Sequence, residues 1–280
     1  MKSILAVVGD GTARPLLETA TLVAKAFGSR MVGLNTLTTE YAVVFGGEMG
    51  FSISSEVDRT LEREGHERRE SARALFSAFM REHGIPVGPA GPGQLSAEWR
   101  EEAGRQNAVV GSLGRIFDLI VVERPAKLAS LAEATLEDAL FESGRPVLMA
   151  PPQAPAKMGE RVSVAWNGST ETALTIAHSM PFLQRARQVE VVSVEGGMTP
   201  GPTGEELSRS LALHGIQVSA RHVQLRGRTT GQAFLEEAQV FGADLLIKGA
   251  YTQSRLRQLI FGGATRHIIM EATLPVVLAH

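Results

Sequence analysis

The residues best suited to chemistry in this 280-residue chain lie close to its carboxyl end. Gly262 and Gly263 are adjacent, Ala264 follows, and Thr265 stands where a helix would open. Paired glycines let backbone approach a ligand closely, and the N–H groups of a helix start attract anions. Gly249 and Thr252 stand upstream, just after the run Asp244-Leu245-Leu246-Ile247-Lys248. A second loop, Asn167-Gly168-Ser169, ends the apolar run Val162–Trp166. In an open parallel sheet ligands bind beyond the carboxyl ends of the strands, where strand order switches. The loops after the first and fourth strands of each half would face that crevice.

Other chemistries find little support. With no cysteine, disulfides, thiolate metal sites and thiol nucleophiles are excluded. The seven histidines form no His-Glu-x-x-His or comparable pair, so no metal is expected. His214 and His222 could meet across a hairpin-like connection, but surface positions suit them better. Glu236 and Glu237 are adjacent and do not share a helix face. Ser169 lacks a nucleophile-elbow context, and no Walker loop or dinucleotide Gly-x-Gly-x-x-Gly occurs. Trp99 and Trp166 read as packing residues. Catalysis has no sequence support.

Two sets of elements must position these loops. Short apolar runs alternate with helical patterns, which signals βαβ units and a parallel sheet. Ile4–Val8 leads into Asp10-Gly11-Thr12, then a helix with Leu16, Leu17, Ala20, Val23, Ala24 and Phe27 on one stripe. Met31–Leu34, Leu119–Val122 and Pro146–Met149 are further strands. Pro151-Pro152-Gln153-Ala154-Pro155 can continue neither element. The pattern then restarts: Asn167-Gly168-Ser169 answers Asp10-Gly11-Thr12, Asp244–Lys248 answers Asp118–Val122, and Pro275-Val276 answers Pro146-Val147. This is a tandem duplication. The expected units are residues 1–152 and 161–280, joined by a linker at 153–160. The charged segment Asp58–Arg73 reads as a solvated helix face, with Leu61, Ala72, Leu75 and Phe79 turned inward.

Composition is that of a folded protein, 44% hydrophobic and 21% charged, with ample material for a core. Net charge is −2, which argues against a broad nucleic-acid surface. The acids dominate the first half and the bases the second, including Arg221, Arg226, Arg228, Arg255, Arg257 and Arg266. No run approaches a membrane span and the start lacks a signal-peptide layout, so the expected location is cytoplasmic.

The second half resembles the universal stress protein family, and the whole chain resembles its tandem two-domain members. Nucleotide-binding members carry Gly-x2-Gly-x9-Gly-(Ser/Thr) after the fourth strand, matched here by Gly249, Thr252, Gly262 and Gly263. Ser254-Arg255-Leu256-Arg257 is also typical of the family. Thr252 replaces a glycine, Gly263 replaces a hydroxyl residue, and Asn167 stands where the family usually has aspartate. The first half has Glu123 in place of the leading glycine and no glycine until Gly144, which implies a lost phosphate loop.

The resemblance implies two tandem α/β units with open, twisted, largely parallel five-stranded sheets flanked by helices. It implies ATP or another adenine nucleotide as ligand, with Ala165 and Asn167 near adenine and Gly249 and Thr252 near ribose and phosphate. Gly262, Gly263, Ala264 and Thr265 would hold phosphate. It also implies an intrachain pseudo-dimer through the two final strands, with a homodimer as the natural further assembly. Two alternatives stay open: an interaction scaffold that binds a protein partner and no nucleotide, and a slow nucleotide-hydrolysing enzyme.

Overall fold

The computed structural model describes residues 1–37, 55–89, 91, 93–128, 130–250 and 263–280. Ten strands form one sheet. They are β1 (Ser3–Val7), β2 (Arg30–Leu37), β3 (Ser96–Ala103), β4 (Leu119–Glu123), β5 (Val147–Ala150), β6 (Arg161–Trp166), β7 (Gln188–Val194), β8 (Val218–Val223), β9 (Leu245–Gly249) and β10 (Val276–Ala279). Their order is β3-β2-β1-β4-β5-β10-β9-β6-β7-β8, five strands from each half. Neighbours within each half are parallel. At the centre β5 pairs β10 antiparallel, with Val277 opposite Leu148. The sheet is therefore continuous from one half to the other through the β5–β10 pair.

Eight α-helices flank it among the described residues. They are α1 (Arg14–Phe27), α2 (Ser55–Glu82), α3 (Gln106–Leu113), α4 (Leu131–Glu142), α5 (Thr170–Leu183), α6 (Gly204–Ala212), α7 (Thr230–Phe241) and α8 (Ala264–Glu271). Burial divides them between two faces. Leu16, Leu17, Phe76, Phe79, Ile176, Phe182 and Leu211 share one core, so α1, α2, α5 and α6 cover one side. Val110, Leu136, Ala233, Phe234 and Ile268 share the other, under α3, α4, α7 and α8. Each core crosses the middle of the sheet: Leu148 and Val277 belong to the first, Val147 and Leu278 to the second. Strands covered on both faces tend to be apolar throughout, which is why β5 and β10 read as unbroken runs and β4 and β9 break only near their carboxyl ends, at Glu123 and Lys248. On the α1 side the halves also touch directly, with the Phe27 and Phe182 rings edge to face at 5.4 Å.

Helix α2 is longer than its charged segment, and it buries Ala72, Phe76, Phe79 and Met80. Leu75 is partly buried, and the Leu61 side chain lies outside the described residues. Phe76 packs on Trp99 of β3 at 5.2 Å between ring centres, in keeping with a packing role for that indole. No helix among the described residues is long and apolar enough to cross a membrane.

Candidate functional site

In the second half β6 lies between β9 and β7, and α5 and α7 take opposite faces, so strand order switches between β6 and β9. In an open parallel sheet such a switch point, at the carboxyl ends of the strands, is where ligands bind. Ala165 of β6 pairs with Lys248 of β9, and both are buried.

The β6 loop is fixed by its own polar groups. Asn167 Oδ1 accepts from the Ser169 backbone N–H at 3.2 Å and from Thr172 Oγ1 at 2.6 Å. Ser169 Oγ in turn caps α5 through the Thr172 N–H. A backbone N–H can only donate, so the side-chain oxygen of Asn167 faces the helix and its amide NH2 is the group left for a ligand. The asparagine can thus offer donors, whereas an aspartate in this place would offer an acceptor. Gly168 adopts φ +79°, and a Cβ there would stand 3.0 Å from Thr199 O. The segment after β7 is tied over this turn: Thr199 N–H and Oγ1 both donate to Asn167 O, and Trp166 Nε1 donates to Pro202 O at 2.9 Å.

Gly249 ends β9 against the first turn of α5. A Cβ would lie 2.4 Å from Thr172 N and 2.6 Å from Thr172 Oγ1, so glycine is required here by helix packing. Gly263 is the opposite case. It caps α8 with extended backbone (φ −81°), and a Cβ would meet no described atom within 4 Å. The other helices of this half start on side-chain caps, Ser169 for α5, Thr203 for α6 and Thr229 for α7; α8 has none. Its first-turn N–H groups therefore receive no side-chain cap from Gly263. Thr265 is buried in that turn. Thr252 and Gly262 lie outside the described residues, as does Ser254–Arg257.

One residue passed over in the sequence stands out. Lys248, at the end of β9, is 4% exposed. Its Nζ donates to Gly249 O at 2.7 Å, and no described carboxylate comes within ion-pair distance. Burial pushes the ammonium down to about 8, against an opposing pull from Glu171 on α5. Such desolvation costs several kcal/mol unless a counter-charge offsets it. The signal was a lysine closing a buried run where the first repeat has Val122. Beside this edge a groove of about 560 Å³ is lined by Thr170, Glu171, Ala173, Leu174, Ala177 and His280. His280 Nδ1 lies 3.1 Å from Ala250 O, just past the end of β9.

The matching end of the first half carries the reverse charge. Glu123 closes β4, and burial together with the nearby Asp10 raises its carboxyl to about 7. Asp10 Oδ1 holds the Thr12 N–H at 2.7 Å, closing the turn into α1. A carboxyl group replaces the close-packed glycine of the second half, and in its ionised form it would repel phosphate.

Away from both ends, His222 on β8 lies opposite Ser193 on β7, with Nδ1 and Oγ 3.0 Å apart. Among the described residues no group of three or more His, Asp or Glu could hold a metal ion.

Residues 159–280 match the model of the universal stress protein family. The second half is a universal stress protein domain. Among solved structures, the chain is similar to a universal stress protein from Archaeoglobus fulgidus (TM-score 0.66, 13% identity), covering 99% of this chain and 95% of that one. It is also similar to a putative universal stress protein from Pseudomonas aeruginosa (TM-score 0.56, 17% identity), over 100% and 93% of the two chains. A functionally unknown protein from the same species matches at TM-score 0.57 and 15% identity, over 100% and 92%. At these identities the structural likenesses speak to fold. No curated protein matches in sequence. Within the universal stress protein domain, the described site residues gather at the β6 and β9 ends and the start of α8.

Proposed function

We propose that the chain is a cytoplasmic stress-response protein whose universal stress protein domain binds ATP or a related adenine nucleotide at the crevice between β6 and β9. The observation that carries this reading is the uncapped start of α8, where a Cβ on Gly263 would meet no described atom, at the same end of the sheet that buries the Lys248 ammonium. Backbone N–H groups and a buried cation suit phosphate oxygens. The amide NH2 of Asn167 suits a ring-nitrogen acceptor of adenine, and Ala165 offers a small apolar floor. Thr252 and Gly262 belong to the same proposed loop.

The test is to denature freshly purified protein and identify released small molecules by mass spectrometry, followed by calorimetric titration of ligand-free protein with ATP. An adenine nucleotide released near stoichiometry, or saturable ATP binding, is the expected result. Neither result at millimolar ATP would overturn the reading. The scaffold reading would then stand, and one observation favours it: Gly249 and the Asn167 carbonyl are already committed to α5.

A further inference from the structure

Among the described residues no carboxylate pairs with the buried Lys248 ammonium. Leu246 and Ala250, two residues to either side, belong to the core beneath α7 and α8, so the lysine leaves the sheet on that same face. In neighbouring strands it is level with Ala165 and Leu278, neither of which can accept a hydrogen bond from its side chain. Its ammonium has three donors, and the hydrogen bond to Gly249 O occupies one of them. Glu171 is the described acid that acts on it, and does so without forming an ion pair. The sequence that follows supplies no acid: residues 251–262 contain no aspartate or glutamate and do contain Arg255 and Arg257. A buried cation in a basic stretch, on the same face as an uncapped helix start, has the charge pattern of a site completed by an anion.

We propose that Lys248 is the counter-charge for the phosphate chain of the ligand, making the site select polyphosphorylated ligands over the bare nucleoside. The inference rests on the nucleotide reading for the identity of the ligand, and on the buried lysine for its charge. Phosphate oxyanions could reach the site as part of a nucleotide or as free polyphosphate, so both are probed.

Calorimetric titrations with ATP, adenosine and inorganic tripolyphosphate would compare the full-length protein with Lys248→Met, which keeps an unbranched side chain one atom shorter and removes its charge. The Lys248 side-chain resonances of the unmutated protein would be followed by NMR in parallel. The expected result is a loss of about tenfold or more in ATP affinity on Lys248→Met, with adenosine affinity held within about twofold. Tripolyphosphate should move the Lys248 resonances. If ATP binds both proteins equally and those resonances stay fixed, the inference falls while the nucleotide reading stands. If tripolyphosphate moves them but ATP and adenosine do not bind, the anion site stands and the nucleotide reading falls. If no probe binds, both fall. Should Lys248→Met fail to fold, the resonance shifts in the unmutated protein decide.

Discussion

Val277 of β10 lies directly opposite Leu148 of β5, and neither side chain is exposed at all. This pair sits where the two halves join, within the core that runs under α1, α2, α5 and α6. A carboxylate at 277 would be buried without a partner among apolar neighbours. Val277→Asp should therefore cost about 4 kcal/mol or more, enough to unfold most of the chain. Urea denaturation read by circular dichroism checks this, and an unchanged midpoint would show that the seam is not buried.

The two glycines of the site should respond differently to the same change. Gly249→Ala forces Thr172 and the first turn of α5 to move away from the strand end, at about 1–3 kcal/mol. Gly263→Ala meets no described atom, on permissive backbone, and should stay within about 0.5 kcal/mol. Paired denaturant midpoints test the contrast. Equal costs would contradict the described packing.

Asn167 holds the turn into α5 by its side-chain oxygen. Asn167→Ala leaves the Ser169 N–H and Thr172 hydroxyl without that acceptor, at about 1–3 kcal/mol. Asn167→Asp keeps the acceptor and places a negative charge at a helix start, so it should cost much less. If the aspartate variant melts as early as the alanine variant, the oxygen is not what fixes the turn.

Opposite pH dependences are expected from the two sheet ends. Glu123 is raised from 4.5 to about 7 by burial and Asp10, so the folded chain holds its proton more tightly than the unfolded one. Stability should then fall as pH rises from about 4.5 through about 7, by about 1–2 kcal/mol given partial solvent screening. Glu123→Gln should flatten that window. Lys248 is lowered from 10.5 to about 8, so stability should rise between about 8 and 10.5. Lys248→Met should abolish that rise and stabilise the ligand-free chain at pH 7. Urea midpoints across pH for the three proteins decide both points.

The sequence revealed the strands whose two faces are both covered, because their apolar character needs no register to be seen. It did not reveal β3, Ser-Ala-Glu-Trp-Arg-Glu-Glu-Ala, which lies at one edge of the sheet. An edge strand can be polar, and polarity there discourages pairing with other chains. The β6 and β9 ends could be placed from glycine spacing and repeat offsets alone. What each glycine does could not: Gly249 answers to a helix distant in sequence, and only tertiary contact shows it. Lys248 escaped notice because one cation in an apolar run looks like a strand terminus emerging into solvent. The Ser193–His222 contact depends on strand register, which composition does not encode.

Because β5 and β10 run antiparallel, the carboxyl ends of the two sets of parallel strands emerge at opposite margins of one sheet. Two separate copies joined this way would be bound by rotational symmetry to carry identical termini of their strands. Covalent continuity removes that obligation. Each margin can accumulate its own substitutions without duplicating them on the other, and here one margin holds Glu123 while the other holds Lys248. The molecule therefore has two chemically different ends, an acidic one and a basic one, where a symmetric pair would have two alike.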